Sequence, residues 1–228
     1  MIKVERKNTA KAKNAILSLE KEKLKKSGTY NTEEVVVALR EMFSGKCYLC
    51  ENKEITSYQI DHLVPHKNDR DLKFDWNNLF LSCGHCNNIK KEHYNPILDC
   101  TKVEVDKKIA FRKKGYFGIE EKLEFTPLED SIEIKNTIEL LKNIYEGNTP
   151  QKRLEAVTIR KELRKELFKF KEAIREYEDT EEGEDKIDLL IHIKLGLKVN
   201  SPFAAFKRWL LRDNKEYFKE LIEQLHFE

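Results

Sequence analysis

Cys47-Tyr48-Leu49-Cys50 and Cys83-Gly84-His85-Cys86 decide how this chain is read. Each Cys-x-x-Cys pair offers two thiolates from one tight turn, and zinc takes four tetrahedral sulfur or nitrogen ligands. The two pairs together predict a closed four-cysteine site at Cys47, Cys50, Cys83 and Cys86. Such a site is structural, because no position is left for substrate. Residues 51–82 exceed the usual spacing of a zinc ribbon, so a further unit is inserted and the metal ties its two ends together. A thioredoxin-like use of one pair needs a βαβ context, which is absent. Cys100 is left over and reads as a small core residue. His85, inside the second pair, is the alternative fourth ligand.

Outward from this block, the 228-residue chain is 37% charged and 39% hydrophobic, enough for one substantial domain or two small ones. Eight glycines and five prolines exclude a low-complexity or collagen-like chain. No apolar run approaches the roughly 20 residues that span a bilayer, and the first residues lack the apolar segment of a signal peptide. The expectation is a cytoplasmic protein with reduced cysteines, where closely spaced ones suggest metal before disulfide. The net charge of +2 conceals an asymmetry, since residues 1–30 hold nine Lys or Arg against three Asp or Glu. That segment is suited to phosphate backbones or, more plainly, to a solvated helix face.

Residues 9–27 read as a Lys-rich helix ended by Gly28, and Asn31 or Thr32 caps a second one. Ser57–Ile60 and Leu79–Leu81 read as strands. A helix follows Cys86 to about Tyr94, before Pro96. Residues 107–124 suggest a hairpin turning at Lys113-Lys114-Gly115, between Ile109–Phe111 and Tyr116-Phe117. From 128 onward the pattern is helical. Residues 129–146 end at Gly147-Asn148. Thr149-Pro150 opens a long helix to about Tyr177, with the stripe Ala156, Ile159, Leu163, Leu167, Phe170, Ile174 and Tyr177. An acidic turn, a helix near 185–197, and a last region opened by Ser201-Pro202 and re-capped by Asp213 with Glu216 complete the chain. The expected class is α+β: a mostly helical chain carrying a small metal-stapled module. The expected divisions are basic helices at 1–43, the module at 44–100, a hairpin connector at 101–127 and a helical domain at 128–228.

Between and after the cysteine pairs lie Asp61-His62-Leu63-Val64-Pro65, then Trp76-Asn77-Asn78-Leu79-Phe80-Leu81-Ser82-Cys83, then Cys86-Asn87-Asn88-Ile89-Lys90. In this order the blocks resemble the HNH endonuclease family over about residues 47–94. The resemblance implies a ββα-metal module of two strands and a helix around one divalent cation. It implies that Asp61 and Asn87 are metal ligands, that His62 is the general base, and that Asn78 stabilises the loop and positions the histidine. It also implies that the four cysteines are the zinc ligands of the subgroup with this extra site.

The residue types suit that chemistry. A neutral imidazole takes a water proton near pH 7. Mg²⁺ or Mn²⁺ prefers oxygen ligands and relieves charge at a phosphate. Adjacent strand residues point to opposite faces, so the strand is expected to end or bend at Asp61-His62. Lys90 and Lys91 are expected to face DNA phosphates or else solvent. His66, His93, His192 and His226 read as bystanders, though His66 and His93 lie near enough in sequence to reach phosphate.

The basic N-terminal helix, Cys47–Glu51, Trp76-x-Asn78-Leu79, Pro96–Asp99 and the helical second half also resemble HNH nuclease subunits encoded beside an ATPase in Septu-type anti-phage defence systems. Many of those carry Glu-His where this chain has Asp61-His62. This resemblance implies an SMC/ABC-like ATPase partner docked on the helical half. The chain has no Gly-x-x-x-x-Gly-Lys-Ser/Thr loop of its own. Double-strand cutting by one such site needs a homodimer or two successive cuts. Two other readings stay open at this stage: a zinc-stabilised nucleic-acid-binding adaptor without catalysis, and a stand-alone homing or restriction endonuclease.

Overall fold

The computed structural model describes residues 1–115 and 121–227. Helix α1, Ala10–Leu24, starts at Thr9, whose side chain accepts from Ala12 N–H. It ends three residues before the expected limit. Lys25 turns extended, and Arg70 donates to the freed carbonyls of Lys23 and Lys25, so the helix end is satisfied from the module. Gly28 lies against this end, and a Cβ there would stand 1.9 Å from the Glu22 carbonyl oxygen. Helix α2, Glu33–Met42, packs on α1.

Strands β1, Tyr58–His62, and β2, Leu79–Cys83, form an antiparallel pair, with Ile60 opposite Leu81 and His62 opposite Leu79. Between them lie helix α3, Arg70–Phe74, and one 3₁₀ turn at Trp76–Asn78. Helix α4, Gly84–Lys90, follows at once. It begins inside the second cysteine pair and ends four residues before the expected Tyr94, because Lys91 leaves the helical region at φ +41°. The order strand, strand, helix is the expected small module.

Strands β3, Ile109–Lys114, and β4, Lys122–Pro127, form the second hairpin. Lys113 and Lys114 belong to the strand rather than the turn. Their ammonium groups reach Glu121 and Glu124 at 3.3 and 2.7 Å, which favours continued pairing over a turn. Tyr116 and Phe117, expected in the return strand, lie outside the described residues.

The remainder is helical: α5, Ile132–Glu146; α6, Pro150–Asp179; α7, Glu184–Gly196; α8, Ala204–Asp213; and α9, Lys219–Leu225. Gly147, at φ +78°, stops α5, and Thr149 caps α6 with Pro150 in its first turn. Every residue of the expected α6 stripe is buried. Ser201-Pro202 does not cap α8, since its Ser201 carbonyl accepts from buried Lys46 and Phe203 intervenes in a left-handed conformation. Asp213 caps nothing either; Arg112 holds its carboxylate with bonds of 2.7–3.0 Å.

One hydrophobic core runs from Met1 and Leu19 through Leu49, Phe80, Phe111 and Leu141 to Phe206 and Trp209. A second joins the far half of α6 to α7 and α9. The α+β class, mostly helical with small antiparallel sheets, is the observed one. Among the described residues no helix is long and apolar enough to cross a membrane.

Candidate active site

The cysteines set the frame. Cys47 and Cys50 follow α2, Cys83 ends β2 and Cys86 lies in the first turn of α4. Their sulfurs all fall within 4.8 Å of one another. Cys50 and Cys83 are 4.0 Å apart, too far for a disulfide and close to the roughly 3.8 Å edge of a tetrahedron with zinc–sulfur bonds of about 2.3 Å. Cys86 N–H donates to Cys83 Sγ at 3.5 Å, a contact suited to a thiolate, and Ser82 Oγ stands 3.7 Å from Cys47 Sγ. The donor set and spacing fit a structural metal. His85 is not a fourth ligand: its Nδ1 faces Glu155 at 2.7 Å and its Nε2 faces the Ile144 carbonyl at 2.8 Å. The knuckle is thereby braced by α5 and α6. Cys100 is fully buried, and burial pushes its thiol up to about 12, as an inert core residue requires.

Strand β1 ends at His62, so the strand stops at the Asp61-His62 pair as expected. The two side chains do leave on opposite faces. Asp61 is 4% exposed. Its carboxylate accepts from the Tyr48 hydroxyl at 2.5 Å and from Lys90 Nζ at 3.2 Å. Burial pushes the Asp61 carboxyl above its ordinary range, and Lys90 and Tyr48 pull the other way. Lys90 is wholly buried and also donates to the His62 carbonyl at 2.7 Å. It therefore faces neither phosphate nor solvent. On the same face of β1, Gln59 accepts from Asn87 Nδ2 at 2.7 Å. Residues Asn87 and Lys90, one turn apart on α4, thus meet Gln59 and Asp61, two apart on β1.

A carboxylate and an amide oxygen are donor types that a hard divalent cation prefers. The Lys90 ammonium already stands on the carboxylate as a cation.

On the other face, His62 is 8% exposed. Its Nε2 lies 3.0 Å from the Lys73 carbonyl. A carbonyl only accepts, so Nε2 carries the proton and Nδ1 keeps the lone pair. Burial lowers the His62 pKa, favouring that neutral form. The rings of Tyr30 and His66 stand edge-on to it at 4.6 and 4.7 Å. Asn78 closes the intervening loop. Its Nδ2 donates to the carbonyls of Val64 and Leu72 at 2.8 and 3.0 Å, and its Oδ1 accepts from Val64 N–H at 2.8 Å.

The structure therefore brings Asp61 and Asn87 to one interface, places His62 on the reverse face, and puts Asn78 behind the loop that orients it. Sequence reasoning missed Tyr48, Gln59, Tyr30 and the Lys73 carbonyl. Strand alternation from Asp61 points to Gln59. The backbone carbonyl of Lys73 leaves no sequence signal. His93, His192 and His226 are exposed.

Residues 47–93 match the HNH endonuclease family. The Septu protein PtuB of Bacillus mycoides (strain KBAB4) is 37% identical over 83 residues, 30% of this chain and 28% of the relative. The Septu protein PtuB of Bacillus thuringiensis is 34% identical over 62 residues, 26% of this chain and 24% of the relative. The matches thus span less than a third of either relative's length. No solved structure matches the chain. Ordered cysteine pairs, a strand–strand–helix unit and a histidine held in its neutral form come together in residues 47–93, the segment that matches the HNH endonuclease family.

Proposed function

We propose that the chain is a metal-dependent endonuclease that hydrolyses DNA phosphodiester bonds, the nuclease effector of an anti-phage defence system that works with an ATPase subunit. The observation that carries the chemistry is the His62 imidazole, fixed through Nε2 to the Lys73 carbonyl with Nδ1 free to act as base. A water molecule attacks phosphorus as His62 Nδ1 removes its proton, and the bond to the leaving 3′ oxygen breaks. Asn78 ties Val64 to the Leu72 carbonyl in α3, beside Lys73, and so keeps the imidazole in its tautomer. Asp61 and Asn87 would hold the catalytic cation, Mg²⁺ or Mn²⁺. When bound, that ion supplies charge relief at the phosphate and the leaving oxygen. Cys47, Cys50, Cys83 and Cys86 would hold zinc, which fixes β2 and α4 to the knuckle before them.

The partner reading is supported by the similarity to the Septu proteins PtuB and by α7. Ile187, Ile191 and Leu195 are 59, 50 and 47% exposed at helical spacing, an apolar stripe on one face. We assign this face of residues 128–228 to the ATPase subunit. One observation favours a second reading, a zinc-stabilised adaptor without catalysis: the Asp61 carboxylate is closed to solvent by Tyr48 and Lys90. Supercoiled plasmid incubated with the purified protein and Mg²⁺ or Mn²⁺, with and without the proposed ATPase partner, separates the two. Nicking or linearisation that EDTA abolishes is expected. Intact plasmid under all conditions, with zinc bound and DNA retained, establishes the adaptor instead.

A further inference from the structure

The loop after the base carries a second histidine whose geometry the proposed hydrolysis does not use. His66 is half-buried with its ring 4.7 Å from that of His62. Asn68 N–H donates to His66 Nδ1 at 3.2 Å, and Asp69 N–H donates to the His66 carbonyl at 2.6 Å. A nitrogen that accepts from a backbone amide holds a lone pair, so the neutral ring carries its proton on Nε2. Among the described residues nothing hydrogen-bonds that Nε2. Two consecutive non-glycine residues, Lys67 and Asn68, take left-handed conformations at φ +44° and +69° to bring this about. Such strain persists only where surrounding bonds over-determine it, and it gathers at functional sites. Here Asp69 caps α3, and Asn78 ties both ends of the loop. Lys67 is exposed on the same loop and favours an anion in front of it.

We propose that His66 is a substrate-facing residue whose Nε2–H donates a hydrogen bond to a non-bridging oxygen of the phosphodiester beside His62. The assignment deepens the nuclease reading and rests on it. The fixed tautomer makes His66 a neutral donor rather than a general acid, because a neutral imidazole that surrendered the Nε2 proton would become an anion. No proton is transferred, and the donor contributes by aiming at charge that grows as water attacks.

Three substitutions read this atom by atom. Glutamine places an amide N–H near the position of Nε2, and asparagine places one near Nδ1. On a short labelled duplex DNA with Mn²⁺, His66→Ala is expected to lose about 100-fold in kcat/KM, with its melting temperature unchanged. His66→Gln is expected to recover most of that loss, and His66→Asn is expected to resemble His66→Ala. Anisotropy titration of the same duplex without divalent cation gives a reading that needs no catalysis, and about tenfold weaker binding is expected for His66→Ala. Wild-type cutting lost in His62→Ala but unchanged in His66→Ala, with equal DNA affinity, overturns the His66 assignment alone. Absence of cutting in the wild type, with binding still weakened by His66→Ala and restored by His66→Gln, overturns the nuclease reading and keeps His66 as a phosphate contact. Asparagine restoring function better than glutamine contradicts the tautomer and the proposal with it.

Discussion

Asn78 shows how one side chain carries two consequences. Three backbone bonds leave its amide, and the loop they close presents the Lys73 carbonyl to His62. Asn78→Ala is expected to cost about 3 kcal/mol of stability, read as a lower denaturant midpoint, and to slow cutting through misplacement of the base. An unchanged midpoint would show that the loop holds itself. Lys90 makes a different case. A buried ammonium with its carboxylate partner is costly to break from one side, so Lys90→Met is expected to destabilise by about 3 kcal/mol, whereas a phosphate-facing lysine would leave the melting curve alone. The Asp61–His62 and Asn87 positions were legible because their residue types stand in order between the cysteine pairs. The burial of Lys90 was not, because helix periodicity from Asn87 names the face but not what covers it. The end of β1 was legible too: the strand stops at His62, where the Asp61-His62 pair was expected to end or bend it.

At the scale of elements, Glu51 joins the first cysteine turn to the helical half. Its carboxylate meets the Met1 amino group at 3.4 Å, Lys46 at 3.2 Å and Ala205 N–H, in the first turn of α8, at 3.0 Å. Burial alone raises its pKa, but these partners outweigh burial and bring it down to about 2. A carboxylate with a depressed folded value contributes its stabilisation above its ordinary range, near 4.5, and loses it as pH falls toward 2. The drop amounts to about 3 kcal/mol. Urea midpoints measured from pH 6 to pH 2 are expected to fall over that window, and Glu51→Gln is expected to flatten this part of the profile. An equal acid slope in the variant would locate the loss elsewhere. Removal of the zinc proposed at the four cysteines would act on the same junction. A strong chelator is expected to release one zinc per chain and to lower the melting temperature, because β2, α4 and the first knuckle are held together through four sulfurs. Strand and helix limits were legible where a cap or glycine marks them, as at Thr9, Thr149 and Gly147. They were missed where a distant residue decides: Arg70 ends α1, and Arg112 takes Asp213 away from its capping role.

For the whole molecule, the α6 stripe was legible because seven apolar residues recur at helical spacing. The single core linking the nuclease module to β3, β4, α5 and α8 was not, since periodicity says which face is buried and not against what. The α7 stripe has the same ambiguity read from outside. Ile187→Asp with Ile191→Asp is expected to leave the melting temperature within a degree or two and to abolish co-purification with the proposed ATPase partner. Retained co-purification would move the partner to another face. The central claim is that residues 47–93 cut phosphodiester bonds with His62 as base. The direct measurement compares wild type and His62→Ala on supercoiled plasmid with Mn²⁺, at matched zinc content and equal DNA affinity. The account predicts cutting by the wild type and a loss of at least about 100-fold in the variant. Equal cutting by both proteins would contradict it, because no other residue of the site offers a neutral imidazole held with a free Nδ1.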